Sequence, residues 1–191
     1  MVTSIIPASI SAGAALLSVC LTAYSVMNLV RSNKQLNKDK REAQARKIAA
    51  WLTRSTGESD VIIQNTSNTP IYDVLIVAVA ITGAAPYDGV ETMKANNTKS
   101  GNQALYPYLV FQKIPPGKFI KEFGFLEGGM HVTYGIEYAF TDSYGNAWRI
   151  DGKGRLSELG KNYLYEMYCL ENPAPWCDLD YFNDSLEKPK G

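Results

Sequence analysis

The chain has 191 residues, a length that indicates one domain, or one small domain with an accessory segment. Its 19 basic and 19 acidic residues cancel, so its overall charge gives no reason to expect nucleic acid as a partner. Three cysteines exclude a complete disulfide framework, because the number is odd. The charges are unevenly distributed, since residues 31–54 are basic and residues 171–187 are acidic.

Residues 1–30 contain an uncharged apolar stretch. Residues 10–30 carry no charged side chain and are rich in Ala, Leu, Val and Ile. About 20 such residues cross a bilayer as a helix, so the sequence predicts an N-terminal transmembrane helix. A cleaved signal peptide is one alternative, but it needs a positive n-region, and no Lys or Arg precedes Arg31. A buried soluble helix is the other alternative.

Residues 31–57 are predicted to form a basic juxtamembrane helical stalk, with strong helix formers up to residue 54. The positive-inside rule places the N-terminus outside the cell and the following domain in the cytoplasm. The same basic residues could contact anionic lipid head groups, or simply fix the topology: Arg31, Lys34, Lys38, Lys40 and Arg41. A weak heptad allows weak self-association of the stalk. An apolar patch that includes Trp51 is expected to dock on the next domain.

Residues 58–156 are predicted to form an all-β domain. About seven short strands with turn residues between them are typical of an immunoglobulin-like β-sandwich. The first two strands, 61–64 and 71–81, flank the polar turn 65–70 and are expected to pair with each other. The second of these is apolar enough to be covered on both faces, either by Trp51 or by the aromatic tail. Residues 83–103 are expected to form an exposed loop.

Two further turns carry clear signals. The Pro-Pro-Gly sequence at 115–117 predicts a sharp turn, because proline fixes φ and glycine accepts positive φ. Asp142 and Gly145 predict a second turn in a hairpin, after a strand that alternates from Val132 to Phe140. Trp148, just beyond this turn, is expected to fill the space between the sheets.

Residues 157–191 are predicted to form a helix over 157–170, followed by an acidic and aromatic tail. Cys169 and Cys177 flank a Pro-Ala-Pro-Trp sequence in this region. In an exported protein these two cysteines are expected to form a disulfide, whereas in the cytoplasm they should remain free thiols. The charge rule favours the cytoplasm, so free thiols are expected.

Five short segments, taken in order, resemble a family of uncharacterised actinobacterial proteins. The segments are 45–51 (ARKIAAW), 65–74 (NTSNTPIYDV), 114–117 (IPPG), 140–149 (FTDSYGNAWR) and 154–156 (GRL). The resemblance implies a single membrane helix, a basic stalk that ends near a tryptophan, and a small C-terminal β-sandwich. It covers roughly residues 43–156 and implies topology and fold more than function.

The sequence contains no catalytic constellation. It has one histidine, no nucleophile elbow, no phosphate-binding glycine loop and no metal-ligand spacing, so no enzyme activity, cofactor or metal is expected. The favoured function is a membrane-anchored interaction or scaffolding module that contacts an unidentified protein through Tyr106 and Tyr108. The alternative is an outward-facing envelope protein that binds a ligand and has a Cys169–Cys177 disulfide.

Overall fold

The computed structural model describes residues 5–98, 104–129 and 131–181. The chain divides into two compact units, Met1–Ala43 and Gln44–Gly191. Helix α1 runs over Ile5–Ala45, so its last two residues belong to the second unit. Hydroxyl side chains interrupt its apolar character, and those of Thr22 and Ser25 donate to backbone carbonyls one turn earlier.

Within the described residues, no helix combines the length and the apolar character needed to cross a membrane. The predicted transmembrane helix is therefore not supported.

The predicted stalk is wrong at its C-terminal end. Helix α1 ends at Ala45, and strand β1 begins three residues later, over Ile48–Leu52. Ile48, Ala50 and Leu52 are buried or half-buried and face the core, and they alternate with two exposed residues, which is the period of a strand rather than of a helix. The β domain therefore starts before residue 58, and Trp51 belongs to it.

The second unit is mainly β and is consistent with a β-sandwich. Its strands form two antiparallel sheets, sheet 1 in the order β1-β2-β5-β9 and sheet 2 in the order β4-β3-β6-β7-β8. The remaining strand bounds are as follows: β2 Gly57–Asn65, β3 Ile71–Thr82, β4 Tyr108–Ile114, β5 Gly117–Leu126, β6 Thr133–Thr141, β7 Ala147–Ile150, β8 Leu156–Leu159 and β9 Asp180–Tyr181.

The predicted pairing of the first two strands is wrong, because β2 and β3 lie in different sheets. The polar turn between them does form, since the backbone N–H of Ser67 donates to Asn65 Oδ1 at 3.0 Å. Asn65 Nδ2 also donates to the carbonyls of Thr69 and Ile114, at 3.0 and 3.3 Å. Ile114 ends β4, just before the chain crosses back to β5. One asparagine thus joins two crossovers between the sheets.

The predicted hairpin at Asp142 is confirmed. The Asp142 carboxylate accepts the backbone N–H groups of Tyr144 and Asn146, both at 2.9 Å, within the connection between β6 and β7. It also accepts Trp148 Nε1–H at 2.9 Å. Trp148 is buried in the core between the sheets, as expected from the sequence.

A second buried cluster lies on the outer face of sheet 2. Helix α2, over Gly89–Thr98, replaces the middle of the predicted 83–103 loop, and residues 99–103 lie outside the described part. The predicted 157–170 helix is also wrong, because Leu156–Leu159 is strand β8 and only Tyr163–Glu166 is helical, as α3. The cluster joins both helices to the sheet through Leu75, Val77, Met93, Ala139, Tyr163, Leu164 and Tyr168.

The tail from residue 174 to residue 181 runs along one side of the sandwich. Cys177 N–H donates to the Val110 carbonyl in β4 at 2.7 Å, and Trp176 forms a bridge with the same residue. Farther on, β9 pairs with β5, and Lys121 Nζ lies 3.0 Å from Asp180 Oδ2. The tail therefore lies against the outer edge of β4 at Val110 and against that of β5 at Phe119 and Ile120. The rest of the predicted acidic tail, 182–191, lies outside the described residues.

Candidate functional site

The outer face of sheet 1 carries an apolar row across three strands. Trp51, Ile62 and Ile120 lie side by side, because the register pairs Trp51 with Ile62 and Ile62 with Ile120. Trp51 is 38% exposed, and the two isoleucines are half-buried. Large aromatic side chains on a partly exposed surface are typical anchors of protein interfaces. This row, called the sheet 1 row below, is the first element of the candidate site.

Polar and charged residues border the sheet 1 row at one end. A shallow concavity of about 600 Å³ is lined there by Arg54, the carboxylates of Glu58, Asp60 and Glu122, and the ring of Phe125. Phe125 is 64% exposed. An apolar centre with a charged border is the usual arrangement of a protein contact surface.

The free edge of β1 is the second element of the candidate site. Lys47 C=O and Thr53 N–H bond toward β2, to Thr66 and Asp60 at 3.0 and 2.8 Å. Backbone groups alternate in direction along a strand, so those of Ala50 and Leu52 point away from β2. Since β1 is the last strand of sheet 1 on this side, no strand pairs with its outward groups, and they form an open edge apart from the groups of Ile48 and Ala50 that Tyr138 binds.

A groove of about 350 Å³ lies between this edge and sheet 2. Its apolar lining comes from both sheets: Ala50, Leu52, Ile136, Tyr138 and Ile150. Tyr138 Oη donates to the Ile48 carbonyl at 3.2 Å and accepts the N–H of Ala50. Burial raises the pKa of Tyr138 to about 12, so this hydroxyl remains protonated at neutral pH. At the other end, Tyr134 N–H donates to the Ser55 carbonyl at 3.1 Å.

A buried carboxylate lies under the layer that covers sheet 2. Glu137 is 0% exposed and accepts a hydrogen bond from Tyr168 Oη–H at 2.7 Å, and another from the Gly89 backbone. Arg149 Nη1 is 3.9 Å from its Oε1. Burial raises the pKa of Glu137, and the hydrogen bonds from Tyr168 and Gly89 and the positive charge of Arg149 oppose this rise. Glu137, in β6, thus contacts α2, β7 and the segment after α3.

A raised carboxyl pKa next to a cavity is also found in general acids, and a cavity of about 370 Å³ lies beside Glu137. Its charged lining is mixed, and Arg155 pairs with Asp151 at 2.8 Å. Glu137 Oε2 and Arg149 Nε have no hydrogen-bond partner but are closed off from solvent. The geometry of Glu137 therefore fits a side chain that joins the covering layer to sheet 2 better than a catalytic group, which must reach a substrate.

The predicted contact residues Tyr106 and Tyr108 are both half-buried. Tyr106 packs against the core between the sheets, and its backbone exchanges two hydrogen bonds with the Asn96 side chain, at 2.8 and 3.0 Å. Tyr108 packs against the outer cluster of sheet 2, and burial raises its pKa. The two rings serve different clusters, and neither belongs to the sheet 1 row. Their contact with a partner stays a prediction.

The predicted lipid-proximal residues all lie on α1. Arg31, Lys34 and Lys38 are exposed, and the side chains of Lys40 and Arg41 fall outside the described part. Lipid contact by these residues stays a prediction.

The cysteines of the second unit are both free, with Cys169 exposed and Cys177 half-buried. In the part of the chain that the structure describes, no three His, Cys, Asp or Glu side chains are grouped as metal ligands would be. Among these residues, neither cysteine therefore belongs to a group of side chains arranged as metal ligands.

The open edge of β1 is the feature that sequence analysis missed. Its signal was present, because Ile48, Ala50 and Leu52 alternate with Ala49 and Trp51. The strong helix formers before and within this stretch concealed the alternation.

No family model, curated protein or solved structure matches this chain. The resemblance to the actinobacterial family therefore rests on the five short segments alone.

Proposed function

We propose that the chain is a non-catalytic β-sandwich interaction or scaffolding module, and that sheet 1 provides its contact surface. One observation carries the proposal: Trp51 is partly exposed in an apolar row, whereas the outer face of sheet 2 is covered by α2, α3 and the segment that follows. A sandwich gains stability from burying both faces of a sheet, so a face that keeps an apolar row at the surface is suited to a partner.

The proposal includes an immunoglobulin-like topology. In constant-type immunoglobulin domains the first, second and fifth strands share one sheet, and the third, sixth and seventh share the other. Strands β1, β2 and β5 lie in sheet 1, and β3, β6 and β7 lie in sheet 2. The fourth strand departs from that order, because β4 pairs with β3 and not with β5. This strand order supports the predicted fold class.

Site-specific photocrosslinking in the native cell tests the contact surface. A photoreactive phenylalanine replaces Ile62 in the sheet 1 row, and the matched control replaces Lys94, which is exposed on α2. We expect a discrete crosslinked species from position 62 that is absent from position 94, and that disappears when Trp51→Ala is added. Equal crosslinking from both positions, or none from position 62, would contradict the proposal.

Membrane anchoring with a cytoplasmic β domain is the further part of this proposal. The uncharged residues 10–30 and the basic residues that follow them support it, whereas the described helix does not.

An impermeant maleimide reagent tests membrane anchoring and the side of the membrane in a Cys20→Ser background, because Cys169 is exposed. We expect the protein to sediment with membranes and Cys169 to react only after lysis. Labelling of intact cells, or a Cys169–Cys177 disulfide, would instead favour the outward-facing ligand-binding alternative.

A further inference from the structure

We infer that the outer face of sheet 1 binds a partner protein that presents an arginine beside an apolar patch. The apolar patch would pack on the sheet 1 row, and the guanidinium would enter the concavity that borders the row. The inference rests on the proposed function and specifies the chemistry of the partner.

The strand register places acidic side chains directly beside the sheet 1 row. Ile62 and Ile120 of the row are paired, and two residues farther along these strands Asp60 is paired with Glu122. Residues two apart on a strand point to the same face, so these carboxylates share the outer face with the row. Together with Glu58 they line the concavity of about 600 Å³, called the acidic concavity below.

The acidic concavity has an excess of negative charge. Among the described residues that line it, three carry a carboxylate and Arg54 alone is basic. Within the same part of the chain, no ion pair joins Arg54 to any of these carboxylates. Asp60 lies directly opposite Glu122, and like charges in that arrangement destabilise a strand pair. A positive charge supplied by a partner would offset this repulsion.

The ring of Phe125 favours arginine over lysine as the source of that charge. Phe125 is 64% exposed, lines the acidic concavity and lies opposite Glu58 in the neighbouring strand. A guanidinium can stack on an aromatic ring and donate to both oxygens of a carboxylate, whereas an ammonium is a compact point charge. An arginine side chain therefore suits both the carboxylates and the ring.

A second copy of the chain fits this surface less well. If a two-fold axis ran along the strands, the two acidic concavities would face and repel each other. If the axis ran along the sheet 1 row, each concavity would face Ala49, Gln64 and Lys118, which the register places equally far beyond the row on its other side. Lys118 is the one cation of these three, and it already has an interaction within its own chain. The charges therefore favour a different protein.

Titration of the full ¹⁵N-labelled chain with synthetic peptides tests the inference. The probe is an acetylated and amidated peptide with a Leu-Trp-Leu core followed by two Arg, and the control has citrulline, a neutral analogue, in place of each Arg. The Trp51 indole N–H signal, assigned by its loss in Trp51→Phe, reports binding at the sheet 1 row. We expect the Arg peptide to bind about tenfold more tightly at low salt, and this advantage to shrink as salt is added. Equal affinity of the two peptides would overturn the inference.

Neutralising the acidic concavity provides a second test. Asp60→Asn with Glu122→Gln removes two charges from sheet 1, and the matched control, Glu91→Gln with Glu166→Gln, removes two exposed charges from α2 and α3. We expect the first pair to weaken the Arg peptide and the crosslink from position 62 by about tenfold, and the control pair to leave both unchanged. Circular dichroism checks that both variants fold.

The crosslink from position 62 separates failure of this inference from failure of the proposed function. A crosslink that persists unchanged after neutralisation would keep sheet 1 as the contact surface and overturn only the arginine-bearing partner. A crosslinked species of twice the mass of the chain would identify a second copy and overturn it as well. Absence of any crosslink from the unmodified concavity would contradict the proposed function, and the inference with it.

Discussion

The two sheets of the sandwich differ in how far their outer faces are covered by other segments of the chain. In β3 of sheet 2, every residue from Val74 to Ala80 is buried, because one face meets sheet 1 and the other meets α2 and the segment from α3 onward. In β2 of sheet 1, buried residues such as Val61 and Ile63 alternate with less buried ones such as Ile62. A sheet covered twice is built for stability, and a sheet covered once can accept a partner.

The comparison also separates two kinds of polar residue. Glu137 is buried under the covering layer and is held by groups from three different segments of the chain. Asp60 and Glu122, on sheet 1, line an open concavity. A change at the first kind of position should alter folding, and a change at the second kind should alter binding. Four experiments test this division.

The largest effect is expected from removing the main aromatic contact of the covering layer. Tyr168 is among the largest fully buried side chains and contacts both Glu137 and Tyr163. Tyr168→Ala should lower the free energy of unfolding by about 3–5 kcal/mol, measured by urea denaturation. A loss below about 1 kcal/mol would show that the layer is not part of the core.

A smaller loss is expected from Gly89→Ala at the start of α2. A Cβ at this position would lie 2.6 Å from Glu137 Oε1 and 2.7 Å from Val77 Cγ1, so α2 would have to move away from the sheet. We expect a loss of about 1–3 kcal/mol. Gly160→Ala is the matched control, because an added Cβ there meets nothing within 4 Å. Equal stability of the two variants would mean that α2 does not pack closely on sheet 2.

These features differ in how far the sequence predicts them. The double covering of β3 is predictable, because an unbroken apolar run needs cover on both faces. The expected source of the outer cover is wrong, because Trp51 lies on sheet 1 and the aromatic residues that cover β3 are Tyr163 and Tyr168 and not those of the tail. The turns at Asn65 and Asp142 are predictable, because their side chains bond to nearby backbone. Such signals depend on residues close in sequence.

The parts that sequence analysis missed depend on distant contacts. The turn at Asn65 looks the same whether its flanking strands pair or pass to different sheets, and only the bond from Asn65 to Ile114 distinguishes the two cases. Strand β1 contains helix-forming alanines and becomes a strand through its pairing with β2. The sheet 1 row likewise needs β5, which is far in sequence from the neighbouring strands β1 and β2, so no local pattern identifies the whole row.

A pH-dependent effect should follow from the buried carboxylate. The pKa of Glu137 is raised in the folded state, so its protonated form is favoured there more than in the unfolded chain. Its contribution to stability is complete below the unfolded-state pKa and is lost as pH rises through the folded-state pKa. Glu137→Gln should therefore gain stability relative to the wild type as pH rises from about 4, the ordinary pKa of a glutamate, through the folded-state pKa, measured by urea unfolding. A constant difference across this range would exclude the raised pKa.

The smallest effect on folding, and the sharpest on function, is expected at Trp51. The side chain lies on the uncovered face and pairs with Ile62, so Trp51→Ala should cost less than about 1 kcal/mol of stability. It should nevertheless abolish the crosslink formed from position 62, because a partly exposed tryptophan is a typical binding anchor. A stability loss comparable to that of Tyr168→Ala, with the crosslink retained, would contradict this division. It would mean that Trp51 is packed like a core residue and that the partner binds elsewhere.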